Sequence, residues 1–138
     1  MNPIRIPHPK KRRALIIVDV EPGFIRKSDE PIVANIRALI GKTKYTAYVE
    51  AVFGTKGNAQ WEKETHWQFP LEDTRDDVEQ MLPRNHLRVI KSTKSVFKGD
   101  KDVTAFLKEH SIEEVHVVGF DINDCVLATA QESFDLGF

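Results

Sequence analysis

The stretch Ala14-Leu15-Ile16-Ile17-Val18-Asp19 decides the fold class of this chain. Its five consecutive apolar residues predict a strand that is buried on both faces, which is typical of a parallel sheet covered by helices. Asp19 follows at the tip of the strand, at the edge of the sheet where α/β folds bind ligands. The alternative interpretation is an ordinary aspartate that caps the turn after the strand.

Helical and strand patterns alternate along the rest of the chain. The first helix is predicted after 28–31, with Gly41 expected to end it, and its apolar face comprises Ile32, Val33, Ile36, Leu39 and Ile40. Further strands are predicted at 44–53, 87–90 and 115–119, and further helices at 74–82, 102–110 and from 125 onward. This alternation predicts a single domain, 1–138, of three α/β/α layers around a central parallel sheet.

The only cysteine of the chain, Cys125, stands at the predicted start of the last helix. A helix N-terminus offers unpaired backbone N–H groups and a positive dipole end, which favour a thiolate and a bound anionic oxygen. The alternative is a small, inert, buried side chain, which is common for a lone cysteine.

Lys91 follows the short apolar run that ends at Ile90. A solvated surface lysine is the default interpretation of any single lysine. However, an acid, a lysine and a cysteine then stand at the ends of three predicted strands, and the carboxyl ends of parallel strands share one edge of the sheet. We therefore expect Asp19, Lys91 and Cys125 to converge on one pocket.

The segment 54–70 is the least regular part of the sequence and contains Trp61 and Trp67. Such a loop above the edge of the sheet is interpreted as a lid or pocket wall. A surface loop anchored by two tryptophans fits the segment equally well.

Composition limits the function classes. The chain has 138 residues, 41% of them hydrophobic, and a formal net charge of -1, which argues against a general nucleic-acid binder. A single cysteine excludes an internal disulfide framework and favours a cytoplasmic setting. The sequence has neither an apolar stretch of membrane-span length nor a signal-peptide pattern, so the expected partner is a small-molecule substrate rather than a membrane.

With these residues assembled, the chain resembles the isochorismatase-like cysteine hydrolases, the superfamily that includes nicotinamidases and carbamoyl-amide hydrolases. The resemblance rests on residues 14–19, 89–91, 95–97, 119–130 and 134–138, in that order. It implies a catalytic triad of Asp19, Lys91 and Cys125, in which Lys91 lowers the pKa of the Cys125 thiol. It also implies cleavage of an amide or carbamoyl C–N bond through a thioester intermediate.

The resemblance further implies a cis peptide bond entering Asp121, which directs that residue's N–H toward the nucleophile. The N–H groups of Asp121 and Cys125 are then the expected oxyanion hole, and Phe24, Trp61, Trp67 and Asp121 the expected substrate pocket. Four positions depart from the family pattern. Glu21 stands where Gln is common and Asn123 where Asp is common. Lys94 stands where an aromatic residue is frequent, and Asp121 where a small apolar residue is frequent.

Nicotinamidases bind a metal through an Asp-x-His element and further histidines. This sequence lacks that element after its second strand, and its histidines have no ligand-like spacing; they are His8, His66, His86, His110 and His116. We therefore expect no metal and no cofactor.

Members of this superfamily usually continue with a further strand and helix after the segment that ends here at Phe138. We accordingly expect the sheet to lack its usual C-terminal strand and helix, and the exposed apolar surface to favour a homo-oligomer. The alternative function is a truncated, non-catalytic member that acts as a small-molecule-binding or oligomerisation module.

Overall fold

Strand β1, Arg13–Val18, lies inside a parallel sheet of the computed structural model, which describes residues 1–7, 10–57 and 59–138. Within those ranges the sheet has four strands in the order β3-β2-β1-β4. The other strands are β2 (Ala47–Phe53), β3 (Leu87–Lys91) and β4 (Glu114–Gly119). All pairings are parallel, and Ile16 of β1 is opposite Val49 of β2 and Val117 of β4.

Both faces of β1 are buried, as its sequence predicts. All five apolar residues from Ala14 to Val18 have an exposed fraction of 0%. Ala14, Ile16 and Val18 pack into the core on one face, and Leu15 and Ile17 into the core on the other. Burying each of the four Leu, Ile and Val side chains stabilises the fold by about 1.5–3 kcal/mol. Because it contributes to both faces, β1 joins the two cores.

Five α-helices occur in the described part of the chain: α1 (Glu30–Lys42), α2 (Gln60–Thr65), α3 (Asp76–Glu79), α4 (Val103–Glu109) and α5 (Cys125–Asp135). Helices α1 and α3 cover one face of the sheet, where Ile36 and Val78 join the core that contains Ile17. Helices α4 and α5 cover the other face, where Leu107 and Val126 pack around Ile16. The predicted three-layer α/β/α architecture is therefore confirmed.

Two local predictions are wrong. Gly41 does not end α1, because the helix continues to Lys42. The N–H of Thr43 then donates the last hydrogen bond to the carbonyl oxygen of Leu39 at 2.9 Å. A single interior glycine costs a helix only about 1 kcal/mol, and packing of the buried face outweighs that cost. Ile32 was predicted on the buried face but is 44% exposed, because it lies beside the cavity described below.

Strand β4 is one of the two edge strands of the described sheet, the other being β3. Each of its six residues is only half-buried, although its apolar sequence predicts a buried strand. The difference arises because β4 pairs with β1 on one side, and no further strand of the described residues pairs on the other.

Gly119 brings the chain after β4 against the end of β1. It has a φ of 130°, and a side-chain carbon at this position would overlap the carbonyl oxygen of Val18. Only glycine accommodates both the dihedral angle and this close approach. The next residue, Phe120, donates its N–H to that Val18 oxygen at 2.9 Å, so the segment 120–124 begins next to Asp19.

The order of the strands creates a crevice at one point of the sheet. The chain passes from β1 outward to β2 and β3, then returns to the other side of β1 as β4. Ligands in open α/β sheets bind where the strand order reverses in this way. This crevice lies between the end of β1, which leads to Asp19, and the end of β4, which leads to Cys125.

None of the helices within 1–7, 10–57 and 59–138 is long and apolar enough to cross a membrane.

Candidate active site

Asp19 and Lys91 form a buried ion pair at the carboxyl edge of the sheet. Lys91 is the last residue of β3 and Asp19 directly follows β1, and each has an exposed fraction of 2%. Lys91 Nζ donates to Asp19 Oδ2 at 2.8 Å and to the carbonyl oxygen of Thr93 at 3.1 Å. Lys91 is therefore not a solvated surface lysine, and Asp19 does more than cap a turn.

The backbone holds Asp19 in an uncommon conformation. Its φ is 53°, a left-handed value that a non-glycine residue adopts at a cost, and its N–H donates to the carbonyl oxygen of Ala51 at 3.0 Å. Its second carboxylate oxygen, Oδ1, is buried and has no hydrogen-bond partner among the described residues. Asp19 thus presents one bonded oxygen to Lys91 and keeps one oxygen free.

Cys125 is the first residue of α5 and lines the same cavity as Asp19. The thiol is half-buried, and its interaction with the Asp19 carboxyl affects the pKa of both groups. The three residues that the sequence placed at strand ends are therefore brought together.

Lys91 lowers the pKa of the Cys125 thiol, as expected, but burial and Asp19 have larger effects that raise it. Burial, followed by the negative charge of Asp19, raises the pKa of Cys125 to about 12, although Lys91 acts in the opposite direction. Burial also raises the pKa of Asp19, and Lys91 only partly offsets that effect. The reason is that Lys91 is bonded to Asp19, so its positive charge is largely neutralised before it acts on the sulfur.

The backbone next to Cys125 presents two N–H groups. The peptide bond between Phe120 and Asp121 is cis. The carbonyl oxygen of Asp121 accepts the N–H groups of Asp124 and Val126, which holds the segment in a tight turn. The N–H groups of Asp121 and Cys125 have no acceptor among the described residues.

A cavity of about 1040 Å³ opens above these groups. Its apolar wall consists of Phe24, Phe53, Trp61, Phe69 and Phe120. The rings of Phe53 and Phe69 have centroids 5.7 Å apart, and Trp61 lies 6.5 Å from Phe53. These are distances at which aromatic rings attract one another, so the wall is a packed cluster that suits a flat or apolar ligand group.

Three of the four predicted pocket residues line the cavity, and one does not. Phe24, Trp61 and Asp121 line the cavity, whereas Trp67 does not, and it is 70% exposed. The prediction for Trp67 is wrong because α2 ends with His66 in a left-handed conformation, which redirects the chain after Trp61.

Phe69, which the sequence analysis missed, occupies the cavity wall instead. Its N–H donates to Thr55 Oγ1 and its carbonyl oxygen accepts the N–H of Thr55, both at 2.8 Å. This clamp explains why an irregular segment still forms a fixed wall. An apolar residue at the end of a polar segment, beside Pro70, was the only available signal.

Two further ion pairs stand at the rim of the cavity. Lys94 Nζ lies 2.7 Å from Asp124 Oδ1 and 5.6 Å from the centroid of the Trp61 ring. Arg26 Nε lies 3.3 Å from Asp29 Oδ2. The Lys94–Asp124 pair joins two segments that are 30 positions apart in the chain, so no local sequence pattern reveals it, whereas Arg26 and Asp29 are three positions apart in one turn.

Glu21 is a buried carboxyl group behind the ion pair. It has an exposed fraction of 1%, and its Oε2 accepts the N–H of Phe53 at 3.0 Å. Burial raises the pKa of Glu21 to about 8, an effect that the Phe53 N–H opposes. The glutamine that is common in the family at this position could accept the same hydrogen bond but could not take up a charge. The presence of Glu21 therefore adds a titratable group behind the ion pair.

The described residues contain no group of three His, Cys, Asp or Glu side chains placed to hold a metal ion. They therefore do not fit the metal that the resemblance associates with nicotinamidases. His8, and Asn58 in the segment after the second strand, lie outside the described residues.

The chain belongs to the isochorismatase family, because a model described as the isochorismatase domain matches residues 13–138. The family consists of hydrolases and includes amidases. No curated protein is similar enough in sequence to count as a relative.

Solved structures share the fold at low sequence identity. An isochorismatase-like hydrolase from Alkaliphilus metalliredigens has a TM-score of 0.75 and 19% identity, with 92% of this chain and 77% of that chain covered. N-carbamoylsarcosine amidase from Thermoplasma acidophilum has a TM-score of 0.77 and 16% identity, with coverages of 92% and 78%. A nicotinamidase/pyrazinamidase from Bacillus subtilis has a TM-score of 0.69 and 22% identity, with coverages of 92% and 81%.

The opposing effects of Asp19 and Lys91 on the thiol predict opposite shifts in its reactivity. Asp19→Asn removes a negative charge beside the sulfur, so the pKa of Cys125 falls and alkylation by iodoacetamide becomes faster at neutral pH. Lys91→Met removes the positive charge, so the pKa rises further above its value of about 12 and alkylation becomes slower. Alkylation rates measured as a function of pH by mass spectrometry test both shifts.

Lys108→Met, an exposed lysine on α4, is the matched control and should keep the wild-type profile. Because Cys125 is the only cysteine, the rates need no correction for other thiols. If the Asp19 and Lys91 variants were alkylated with the same pH profile as the wild type, the two residues would not control this sulfur.

The buried Glu21 predicts a pH-dependent stability. Its pKa is raised from 4.5 when free to about 8 in the fold, so the folded state binds the proton more tightly than the unfolded state. The stability that the protonated Glu21 contributes is complete below pH 4.5, its pKa in the unfolded chain. It is lost as the pH rises to about 8, its pKa in the fold. The loss amounts to up to about 5 kcal/mol, since one unit corresponds to about 1.4 kcal/mol.

Glu21→Gln removes this pH dependence, so the variant should gain stability relative to the wild type as the pH rises through that window. Urea unfolding of both proteins across the window measures the difference, and the effects of Asp19 and Cys125 cancel because both proteins retain them. Exposed Glu109→Gln serves as the control. A constant difference between the Glu21 variant and the wild type at every pH would contradict the assignment.

Proposed function

We propose that this protein hydrolyses an amide or carbamoyl C–N bond of a small molecule, with Cys125 as the nucleophile and a thioester as the intermediate. The observation that carries the proposal is the buried Asp19–Lys91 pair, whose Asp19 Oδ1 has no hydrogen-bond partner in the described part of the chain and faces the cavity lined by the only thiol. The family includes amidases, and the cavity provides an apolar wall for the rest of the substrate.

Asp19 is the proton acceptor in this mechanism. In the free protein the proton resides on sulfur, since the pKa of Cys125 is raised to about 12. Oδ1 of Asp19 takes this proton as the sulfur attacks the carbonyl carbon, while Lys91 remains bonded to Oδ2 and holds the carboxylate in position. Proton transfer that accompanies attack avoids a free thiolate in a buried site.

Attack converts the carbonyl oxygen to an oxyanion on a tetrahedral carbon. The N–H groups of Asp121 and Cys125 are the proposed donors to that oxygen, and losing one such donor typically costs about 3 kcal/mol in the transition state. Asp19 then gives its proton to the departing nitrogen, the C–N bond breaks, and the acyl group remains on sulfur as a thioester. Water attacks the thioester with Asp19 again accepting a proton, which releases the acid and returns the proton to the thiol.

No cofactor takes part in these steps. Phe24, Trp61 and Asp121 are the proposed substrate contacts of the predicted set, and Phe69 replaces Trp67.

A specific observation also favours the alternative, a non-catalytic binding module. The raised pKa of Cys125 describes an unreactive thiol in the free protein, as expected if the cavity binds a molecule without turnover. The two functions differ in one outcome, because only the hydrolase forms a covalent acyl adduct with Cys125.

Replacing the nucleophile predicts a complete loss of turnover with the fold preserved. Cys125→Ala removes the only atom able to form the thioester, so ammonia release from a panel of small amides should fall to background. The substitution removes one half-buried sulfur atom, so thermal unfolding should change little. Lys91→Ala should retain slower turnover, since it disturbs the position and charge of Asp19 but leaves the sulfur.

Intact-mass measurement during turnover should detect an acyl adduct on the wild type that is absent from Cys125→Ala. An active Cys125→Ala variant would exclude the thioester route. Substrate binding by the wild type without any adduct or product would support the binding module instead.

We further propose that the protein forms a homo-oligomer in a reducing compartment such as the cytoplasm. Strand β4 leaves one side unpaired in the described part of the sheet. Leu127 and Phe134 of α5 are exposed, as is Leu136 directly after it. Burial of Phe134 against a second copy would remove an apolar side chain that is 79% exposed. The single cysteine, free and half-buried, is compatible with a reducing setting.

Light scattering is expected to give a mass that is a multiple of 15.8 kDa. Phe134→Asp should shift the mass toward one chain, because it places a charge in the apolar contact. Exposed Asp135→Asn, the neighbouring position, is the control and should keep the oligomer. A wild-type mass of one chain would contradict this proposal without affecting the proposed chemistry.

A further inference from the structure

The cavity carries an excess of negative charge. Among the described residues, five carboxylates and two basic side chains line it, and they are Asp19, Asp29, Glu64, Asp121, Asp124, Arg26 and Lys94. Both basic groups are already bonded to carboxylates of the rim, Lys94 to Asp124 at 2.7 Å and Arg26 to Asp29 at 3.3 Å. Lys91 is likewise paired with Asp19. Each basic side chain described at the cavity is therefore already paired with an acid, and none is left to bind an anionic ligand.

Asp121 is the acid whose charge remains unmatched next to the nucleophile. Its side chain is exposed to the cavity and has no ion-pair or hydrogen-bond partner among the described residues. Its carbonyl oxygen accepts the N–H groups of Asp124 and Val126 at 3.0 and 3.1 Å, so Asp121 lies within one turn of Cys125. Asp121 and Cys125 therefore line one cavity from the same turn of the chain.

A negative charge at this place opposes the proposed reaction of a neutral substrate. The oxyanion forms beside the N–H group of Asp121, and like charges at short range repel each other strongly where water is partly excluded. A positive charge on the substrate would neutralise the carboxylate and remove that repulsion. An anionic substrate would add to it.

The aromatic wall also favours a positively charged ligand group. Lys91 Nζ lies 4.9 Å from the ring centroid of Phe53, and Lys94 Nζ lies 5.6 Å from that of Trp61, both within the range of cation–π attraction. Phe24 and Phe69 belong to the same wall, with centroids 6.1 Å apart, and no basic group of the described residues lies over either ring. These two rings remain available to a cationic ligand group.

We propose that the substrate is a small amide or carbamoyl compound that carries an ammonium group, which binds between the Asp121 carboxylate and the aromatic wall. This inference rests on the proposed function for the reaction, but the preference for a cation is a property of the cavity and can be measured without turnover. Asp121 is a specificity-determining residue in this arrangement.

Charged thiol reagents measure the preference directly at Cys125. The probes are two methanethiosulfonates, one with a trimethylammonium group and one with a sulfonate group, which form a mixed disulfide with the thiol and release methanesulfinate. The ratio of their rates with the protein, divided by the same ratio with free mercaptoethanol, isolates the effect of the cavity. Because both reagents use the same sulfur, changes in the pKa of Cys125 cancel in the ratio.

We expect the normalised ratio to favour the cationic reagent and to fall about fivefold in Asp121→Asn, the effect of one partly solvated charge pair. Higher salt should reduce the wild-type ratio, since exposed charges are screened. Asp135→Asn makes the same charge change at the far end of α5 and should leave the ratio unchanged. A ratio of one, or an equal ratio in wild type and Asp121→Asn, would overturn the inference.

A matched set of amides separates this inference from the proposed function. The set comprises para-(aminomethyl)benzamide, benzamide and para-carbamoylbenzoate, which share one ring and carry a positive, zero and negative charge. Fastest hydrolysis of the cationic amide, with loss of that preference in Asp121→Asn, supports both proposals. Hydrolysis that is fastest for the neutral or anionic amide overturns the inference alone. If none is hydrolysed while the reagent ratio still depends on Asp121, the cation preference stands and the proposed hydrolysis of such amides fails.

Discussion

The ion pair between Lys91 Nζ and Asp19 Oδ2, 2.8 Å long and almost completely buried, constrains the whole site. It joins the ends of β3 and β1 across the end of β2, so it also holds together the edge of the sheet. Two charges taken out of water cost several kcal/mol each, and only close pairing and further hydrogen bonds offset that cost. The bond from Lys91 to the carbonyl oxygen of Thr93 supplies one such contact and positions the loop after β3.

Burial and then the same pair determine the protonation state of the thiol. Because Lys91 is neutralised by Asp19, the sulfur experiences burial and a nearby carboxylate more strongly than a free cation, and the pKa of Cys125 rises to about 12. In the proposed reaction, a protonated thiol beside a carboxylate that has one oxygen without a partner among the described residues suits proton transfer during attack rather than before it. The acid-rich rim, with Asp121 unpaired in the described residues, is the basis for the proposed preference for a cationic substrate.

Much of the framework follows from local sequence. The five apolar residues before Asp19 determine a strand buried on both faces, because side chains alternate along a strand and both sets are apolar. The positions of Asp19, Lys91 and Cys125 at the ends of such elements follow as well, since parallel strands share a carboxyl edge. The end of α1 and the place of Trp67 were not predictable in this way, because a glycine is a weak signal and an irregular segment has no period.

The sequence by itself determined the α/β class, the order of the elements and the three residues that converge. Only the tertiary structure decided how their charges interact, because burial and distance between elements far apart in the chain set the pKa values. It also decided that Lys94 pairs with Asp124 while Asp121 has no such partner among the described residues, and that Phe69 rather than Trp67 forms the wall. These outcomes depend on contacts between separate loops, which no local pattern encodes.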